Sequence, residues 1–332
     1  MMSPDFQRRL KHFSSIRRAV WSLWVLLLMM LASFFAELIT NSSPIIAQIN
    51  GKIIVPAYIT YEREELGQEG AGVVDYRELK SQYQWSIWPV LNWDAVEIDS
   101  EQTEYLTSPN AAHLMGTDRA GRDVFARLLY GTRISFLFGL AYWLITYIIG
   151  TSIGLFTGFV GGNVDLYGQR LIEIFQSTPH MPLLLFIVSV VSPSAALLAV
   201  FLCIFGWTGI AQYMRLEALR NRNLTFTEAA ISMGASRFRL LFTHILPNSL
   251  VPLITFSPVA VISGIYSLAS LDLLGFGVPP PTPSWGELLD QARANYQVAW
   301  WLAVFPSLFL FMTILCLNFI GEAVRKAFDP RA

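Results

Sequence analysis

The sequence predicts an all-α membrane protein: six transmembrane helices, with an extended extramembrane insertion between helices 1 and 2. Three observations carry that prediction. Of the 332 residues, 54% are hydrophobic and only 14% charged, whereas a soluble domain is closer to one quarter charged. The apolar residues gather into runs of about 20, enough to cross a hydrocarbon core of about 30 Å at 1.5 Å per residue. Residues 40–118 contain no such run, and that stretch is too long for a simple connector.

Residues 1–18 are basic, with Arg8, Arg9, Lys11, Arg17 and Arg18. Ala19–Ile39 forms the first span, and its only charge is Glu37. A cleaved signal peptide competes with this reading, but its apolar core is shorter, and no Ala-x-Ala-like site follows Phe34-Phe35-Ala36. In the insertion, Asn50-Gly51 predicts a turn, with Ile53–Tyr58 as a short strand after it. Trp85, Trp88 and Trp93 form either a small core or an interfacial belt. Next, Asp118 or Thr117 is expected to cap an amphipathic helix at the membrane surface, with Val124, Phe125, Leu128 and Leu129 on its apolar side.

Ile134–Val160 is the second span. Gly150, Gly154 and Gly158 recur every four residues on one face, the spacing that lets a neighbouring helix approach closely; a flexible glycine-rich end is the alternative. Gly161-Gly162-Asn163 breaks that helix. Asp165, Arg170 and Glu173 follow, and the third span is placed from Leu171 to Val191, with Pro179 and Pro182 in it. Its polar first half belongs against protein or at the interface. Ala195–Met214 is the fourth span. Leu250–Leu271 is the fifth, loosened by Pro252, Pro258 and Gly264. Asp272–Gln297 reads as a Pro- and Gly-rich loop, and Val298–Ile320 as the sixth span, with Trp300 and Trp301 at one interface. Cys203 and Cys316 fall inside apolar runs and read as small hydrophobes. The expected organisation is 1–40 as N-terminus and first helix, 41–118 as the insertion, and 119–332 as a five-helix core carrying a polar loop, 215–247.

Six spans place both termini on one side. That side, with the 215–247 loop, holds 14 of the 23 lysines and arginines, so the positive-inside rule makes it cytoplasmic. The insertion and the 272–297 loop then lie outside. Arg119, Arg122, Arg127 and Arg133 strain this assignment, being close to a membrane entry on the outer side; Asp118 and Asp123 offset part of their charge.

No catalytic set emerges. There is no Gly-x-x-x-x-Gly-Lys-Ser/Thr loop for ATP phosphates. His12, His113, His180 and His244 share no metal-ligand spacing. A net charge of −1 gives no signal for nucleic acid. The spans lack the mid-membrane acids that a proton-driven carrier uses, so the driving energy is expected from another subunit. The 215–247 loop is where that subunit would push. Thr225 or Thr227 caps a short helix with Glu228 in its first turn. Ala229 and Ala230 give a face with almost no side chain, and Gly234 permits a sharp turn. Phe238, Leu241, Phe242 and Ile245 form an apolar stripe leading toward the membrane, until Pro247 ends that piece and starts span five. A secondary carrier and a membrane scaffold are the alternatives.

The run Glu228-Ala229-Ala230-x3-Gly234-x11-Leu246-Pro247 resembles the EAA motif of permease subunits in bacterial ATP-binding-cassette importers. His113-Leu114-Met115-Gly116-Thr117-Asp118-x2-Gly121-Arg122-Asp123 resembles the signature before span two in the second permease of dipeptide and oligopeptide importers. Asp272, Gly275, Gly277, Trp285 and Gly286 stand in a stretch similar to the same subunits' loop after span five. The long insertion and the Ser-Pro start resemble the Yej-type permeases, which are associated with microcin C and other peptides. The resemblance implies the type I importer permease fold. It also implies a coupling helix at Glu228, Ala229, Ala230 and Gly234, tied to the next span by Leu246-Pro247. ATP and magnesium are then bound by partner subunits, not by this chain. The implied partners are a paralogous permease, two ATPase domains and a periplasmic peptide-binding protein, with bilayer lipid around the spans of an inner-membrane protein. A nickel or opine importer is the nearest rival.

Overall fold

The computed structural model describes residues 4–69, 74–99 and 105–328, with side chains from residue 7. Helix α1 (Pro4–Ser15) precedes α2 (Arg17–Phe34) and the one-turn α3 (Ala36–Ile39). The insertion contributes β1 (Ile46–Ile49), β2 (Lys52–Ile54) and β3 (Tyr83–Ile87). The remainder is helical: α4 (Val124–Val160), α5 (Gly162–Ser177), α6 (His180–Val190), α7 (Ala195–Arg222), α8 (Thr225–Ser232), α9 (Arg237–Arg239), α10 (Leu246–Leu273), α11 (Trp285–Asn295) and α12 (Trp300–Phe328).

Among the described residues, five helices are long and apolar enough to cross a membrane: α2, α4, α7, the continuous Arg237–Leu273 helix, and α12. Helices α5 and α6 make a sixth crossing only as a broken pair, bent by 64°. This corrects the single Leu171–Val191 span. Thr178 is extended, and Pro179 cannot donate a helical hydrogen bond, so the helix stops and restarts at His180.

Other sequence expectations need correction too. Among the described residues no separate surface helix precedes span two: Asp123, not Asp118 or Thr117, caps α4, its Oδ1 accepting from Ala126 N at 2.7 Å. The amphipathic segment is therefore the first turn of one helix of 37 residues. The strand after Asn50-Gly51 covers Lys52–Ile54 rather than Ile53–Tyr58. The 272–297 segment is not all loop, because Ser284 starts α11 by accepting from Glu287 N at 3.0 Å. Finally, Pro247 does not end a helix, as described below.

The insertion is a three-stranded antiparallel sheet of order β2-β1-β3. Asn50 and Gly51 both take positive φ (49° and 75°), matching the twist a two-residue hairpin needs. Ala47, Ile49, Ile54, Leu66, Val74 and Leu79 form its small core. Backbone bonds from Leu91 N to Ile39 O (2.9 Å) and from Asn41 N to Leu91 O (3.1 Å) join this body to the top of α3.

Two large clusters dominate the transmembrane core, beside smaller ones around Met214 and Ile245 and around Ile172 and Trp207. One gathers Leu128, Phe136, Ile265, Trp285, Trp301 and Leu317 from α4, α10, α11 and α12, with Leu26 of α2. The other gathers Phe138, Leu184, Leu198, Phe201, Leu268 and Leu271. Gly150, Gly154 and Gly158 of α4 lie against α7. An added Cβ at Gly154 would run into the Ala211 carbonyl, at Gly158 into that of Arg215, and at Gly150 into Ile210 and the Trp207 carbonyl. Cys203 and Cys316 are buried, free thiols.

Candidate functional site

The bundle has two polar ends. At one, α7 runs two turns past its apolar stretch before the chain turns into α8. Thr227 is fully buried, and its hydroxyl donates to Asn221 O at 2.7 Å. Asn221 Nδ2 donates to Ser249 Oγ at 3.2 Å, and Ser249 Oγ donates to Ile245 O at 2.8 Å. Helix α8 is thus hung from the end of α7 and the start of the next span. Neither Thr225 nor Thr227 caps it: its N-cap is Leu224, without a side-chain bond. Glu228 and Ala229 face outward, while Ala230 is buried. Gly234 closes α8 with φ +81°. The bonds Gly234 N to Ile231 O (2.9 Å) and Ala235 N to Ala230 O (3.0 Å) satisfy its last carbonyls in the way left-handed glycine caps do.

Ser236 then caps a helix that runs through to Leu273. Leu246 and Pro247 lie inside it, directly after a widened π turn at Leu240–Ile245. In a regular helix the proline ring would clash with the carbonyl four residues back; a wide turn relieves that clash and absorbs the missing donor. Ile245 and Leu240 point inward, so the expected stripe divides. Phe238 and Phe242 remain exposed with ring centroids 4.4 Å apart, and Phe226, Ile231 and Met233, on α8 and at its end, are exposed as well. Arg215 pairs with Asp165, and Arg222 donates to Phe159 O at 3.3 Å, both holding the α4–α5 connection. Arg237 and Arg239 are exposed.

At the opposite end the chain folds back on itself before α4. Thr117 bridges Asp123, and Gly121 (φ +78°) completes a tight turn whose amides at Ala120 and Arg122 donate to Asp118 Oδ1 at 2.8 and 3.0 Å. Asp118 Oδ2 accepts from Arg122 Nε at 2.8 Å. Arg127 Nε lies 3.4 Å from the same oxygen, an ion pair without hydrogen-bond alignment. Arg127 Nη2 donates to Glu287 Oε2 at 2.8 Å, and Arg122 Nη2 lies 3.4 Å from Glu287 Oε1. Gln291 Nε2 donates to Glu287 Oε1 at 2.6 Å. The two arginines and two acids balance, so two of the four arginines that strained the topology, Arg122 and Arg127, are absorbed in this buried set, while Arg119 is exposed. Arg133 forms a further pair with Glu37 at 2.9 Å. Burial works against ionising Asp118, but the Arg122 bond and the nearby Arg127 and Arg122 charges win, and its pKa lies below the usual carboxylate value.

Asp123 also holds His113, whose Nδ1 is 2.9 Å from Asp123 Oδ2 and whose Nε2 is 3.3 Å from Asp99 Oδ2. Burial disfavours a charge there, yet the two aspartates outweigh it and the imidazole keeps its proton above its ordinary pKa. Gly116 sits where a side chain would strike Thr107 O and the Trp301 ring, and Trp301 Nε1 donates to Thr117 O at 3.0 Å. Asp272, at the end of α10, accepts from Val278 N at 2.7 Å, and Gly277 and Gly286 crowd it so closely that neither could carry a side chain. Gly275 (φ +78°) turns the chain out of α10. Trp285 is fully buried, its Nε1 donating to Leu128 O at 3.2 Å.

The structure therefore brings Gly116, Thr117, Asp118, Gly121, Arg122 and Asp123 together with α11, with Asp272, Gly275, Gly277, Trp285 and Gly286 beside them. It separates both groups from Glu228, Ala229, Ala230 and Gly234 by the thickness of the bundle. Glu287, Gln291, Arg127 and His113 belong to the first group and were not singled out as site residues from sequence. The Ser284-x-x-Glu287 spacing, a capping-box signature, was the available signal for α11. Among the described residues no group of three His, Cys, Asp or Glu side chains is placed to hold a metal ion.

The fold is that of a multi-pass transport subunit. It is similar to a chain in the inward-facing methionine transporter MetNI, with TM-score 0.51 and 18% identity, over 61% of this chain and 96% of that one. The chain belongs to the family described as binding-protein-dependent transport system inner membrane component, which it matches over residues 150–332. Across 99% of its length it is 38% identical to the inner membrane ABC transporter permease protein YejE of Escherichia coli K12, covering 98% of that protein. It is 35% identical to the peptidoglycan transport system permease YejE of Agrobacterium fabrum, covering 99% of this chain and 94% of that protein. A dipeptide transport system permease of Haemophilus influenzae, DppC, is 36% identical over 67% of this chain and 75% of its own. The chain is thus an importer permease of the ATP-binding-cassette class, a multi-pass protein of the inner membrane.

Proposed function

We propose that this subunit carries oligopeptides, microcin C-like peptides among them, through the inner membrane as one of two paralogous permeases. Relatives named for dipeptide and peptidoglycan transport support the substrate class, since each of those cargoes contains short peptide chains. In this reading both termini and the 215–247 loop are cytoplasmic. The 41–118 insertion is a periplasmic unit beside the 119–332 core. A periplasmic binding protein delivers peptide to the insertion and the 272–297 segment, and two ATPase subunits, holding ATP and magnesium, close and push on α8. Gly150, Gly154 and Gly158 keep α4 and α7 together during that movement.

The observation that carries the coupling role is the form of α8. It is a two-turn helix held by buried Thr227, closed by a left-handed glycine, and presenting Glu228, Ala229 and a cluster of exposed apolar side chains to a partner. The test is peptide uptake and ATP hydrolysis in the reconstituted complex. Gly234→Val and Glu228→Ala should leave the subunit in the membrane and hydrolysis running, while uptake falls at least tenfold. Normal uptake by both variants would remove the coupling role. Normal uptake of an unrelated solute, with no peptide transported by the wild type, would remove the substrate class.

A further inference from the structure

At the α8 end, where α1 meets α2, lies a cavity of about 550 Å³ lined by Ser14, Arg17, Val20, Trp21 and Trp24. Its chemistry is divided. Arg17 and Ser14 form a polar rim at the point where the apolar span begins. Trp21 and Trp24 form the wall below it, 68% and 59% exposed. The apolar wall continues along the same helix face through Leu28 (69%), Leu31 and Phe34 (68%), positions spaced three or four residues apart along the whole span.

The surroundings of the rim are cationic. Arg8, Arg9, Lys11, Arg18, Arg325 and Lys326 stand on α1, α2 and the end of α12. Glu322 accepts both Arg18 (2.5 Å) and Lys326 (3.0 Å), and Arg9 lies over the Phe328 ring. Among the described residues, no carboxylate comes within 4 Å of Arg8, Lys11 or Arg17. These exposed cations give the rim a net positive charge among the described side chains, which an anionic group complements.

We propose that this groove binds one anionic phospholipid of the inner membrane, its phosphate at Arg17 and Ser14 and an acyl chain along Trp21, Trp24 and Leu28. Two features separate a lipid from a packed protein helix. The wall is built of indoles and leucines, whereas helices that pack closely in membranes present small residues, as α4 does to α7. The cation also sits at the start of the apolar run, the depth of a headgroup, where arginine and tryptophan anchor a span to the interface. The proposal depends on the chain spanning a bilayer and not on what the complex carries.

The test is native mass spectrometry of the full-length subunit in its complex, stripped of lipid in detergent. Phosphatidylglycerol, phosphatidylcholine with the same chains, and inorganic phosphate are added separately. The wild type should bind phosphatidylglycerol about fivefold more tightly than phosphatidylcholine, the effect of one cation at a lipid headgroup. Arg17→Gln should lose that preference and Arg17→Lys should keep it, which separates headgroup recognition from damage to the fold. Trp21→Ala with Trp24→Ala should weaken both lipids. Arg293→Gln, an exposed cation on α11, should change nothing. Retained preference in Arg17→Gln, an equal loss in Arg293→Gln, full lipid binding by the tryptophan variant, or phosphate bound as tightly as phosphatidylglycerol would each overturn the proposal.

Discussion

Replacing Arg127 with methionine tests whether the buried charge set at the insertion end holds the bundle together. Arg127 is fully buried and joins three segments: Glu287 on α11 at 2.8 Å, Asp118 before α4 at 3.4 Å, and the Ala95 carbonyl of the insertion at 2.8 Å. With Arg127 gone, Asp118 and Glu287 share only Arg122, and one negative charge stays buried without an opposite. Breaking a buried pair in this way costs about 3–5 kcal/mol, far above a surface ion pair. At roughly 2–4 °C per kcal/mol, the melting midpoint should fall by about 6–20 °C. Thermal unfolding of the purified subunit in detergent, followed by tryptophan fluorescence, reads this directly. Adding Glu287→Gln restores neutrality and should recover at least half of the loss. A single variant melting within about 2 °C of wild type, below the shift of even 1 kcal/mol, would refute the reasoning. So would a double variant no more stable than the single one.

Gly154→Leu should prevent α4 and α7 from closing, since even a methyl group meets the Ala211 carbonyl. Overpacking of this kind costs at least about 1–3 kcal/mol, and membrane accumulation measured by immunoblot should drop with it. His113 has a raised folded-state pKa, so its stabilisation is complete below about pH 6.5 and is lost as pH rises through the raised value. The melting midpoint should therefore decline from near neutral pH upward, and His113→Gln should flatten that decline.

Much of the bundle was legible because a membrane span is a local property: an apolar run of sufficient length declares itself without knowledge of its neighbours. The loop around Glu228 and Gly234 was legible for a similar reason, since a glycine cap and a small-residue helix are short-range patterns. The Asn50-Gly51 hairpin was too. Strand β3 was not, because Trp85 pairs with Gln48 from 37 residues away and its own sequence alternates weakly. The charge set was hidden for the same reason. Arg127 and Glu287 lie 160 positions apart, and nothing near either names the other. The break at Thr178-Pro179 was misread because hydropathy averages over a window and cannot see one missing hydrogen bond. The continuous helix through Pro247 reverses that case: a proline that normally stops a helix is tolerated because the turn before it is wide.

Helix α4 runs for 37 residues from its Asp123 cap to Gly161, about 55 Å without interruption. Its far end is clasped to the insertion through His113 and Arg127, and its glycine face is locked to α7, from which α8 hangs. A tilt of about 10° around its midpoint carries each tip by about 5 Å in opposite directions, given the helical rise. In the proposed mechanism the helix would act as a seesaw: a push at the Glu228 end would be delivered as an equal and opposite swing at the end clasped by His113 and Arg127, with the bilayer as its fulcrum.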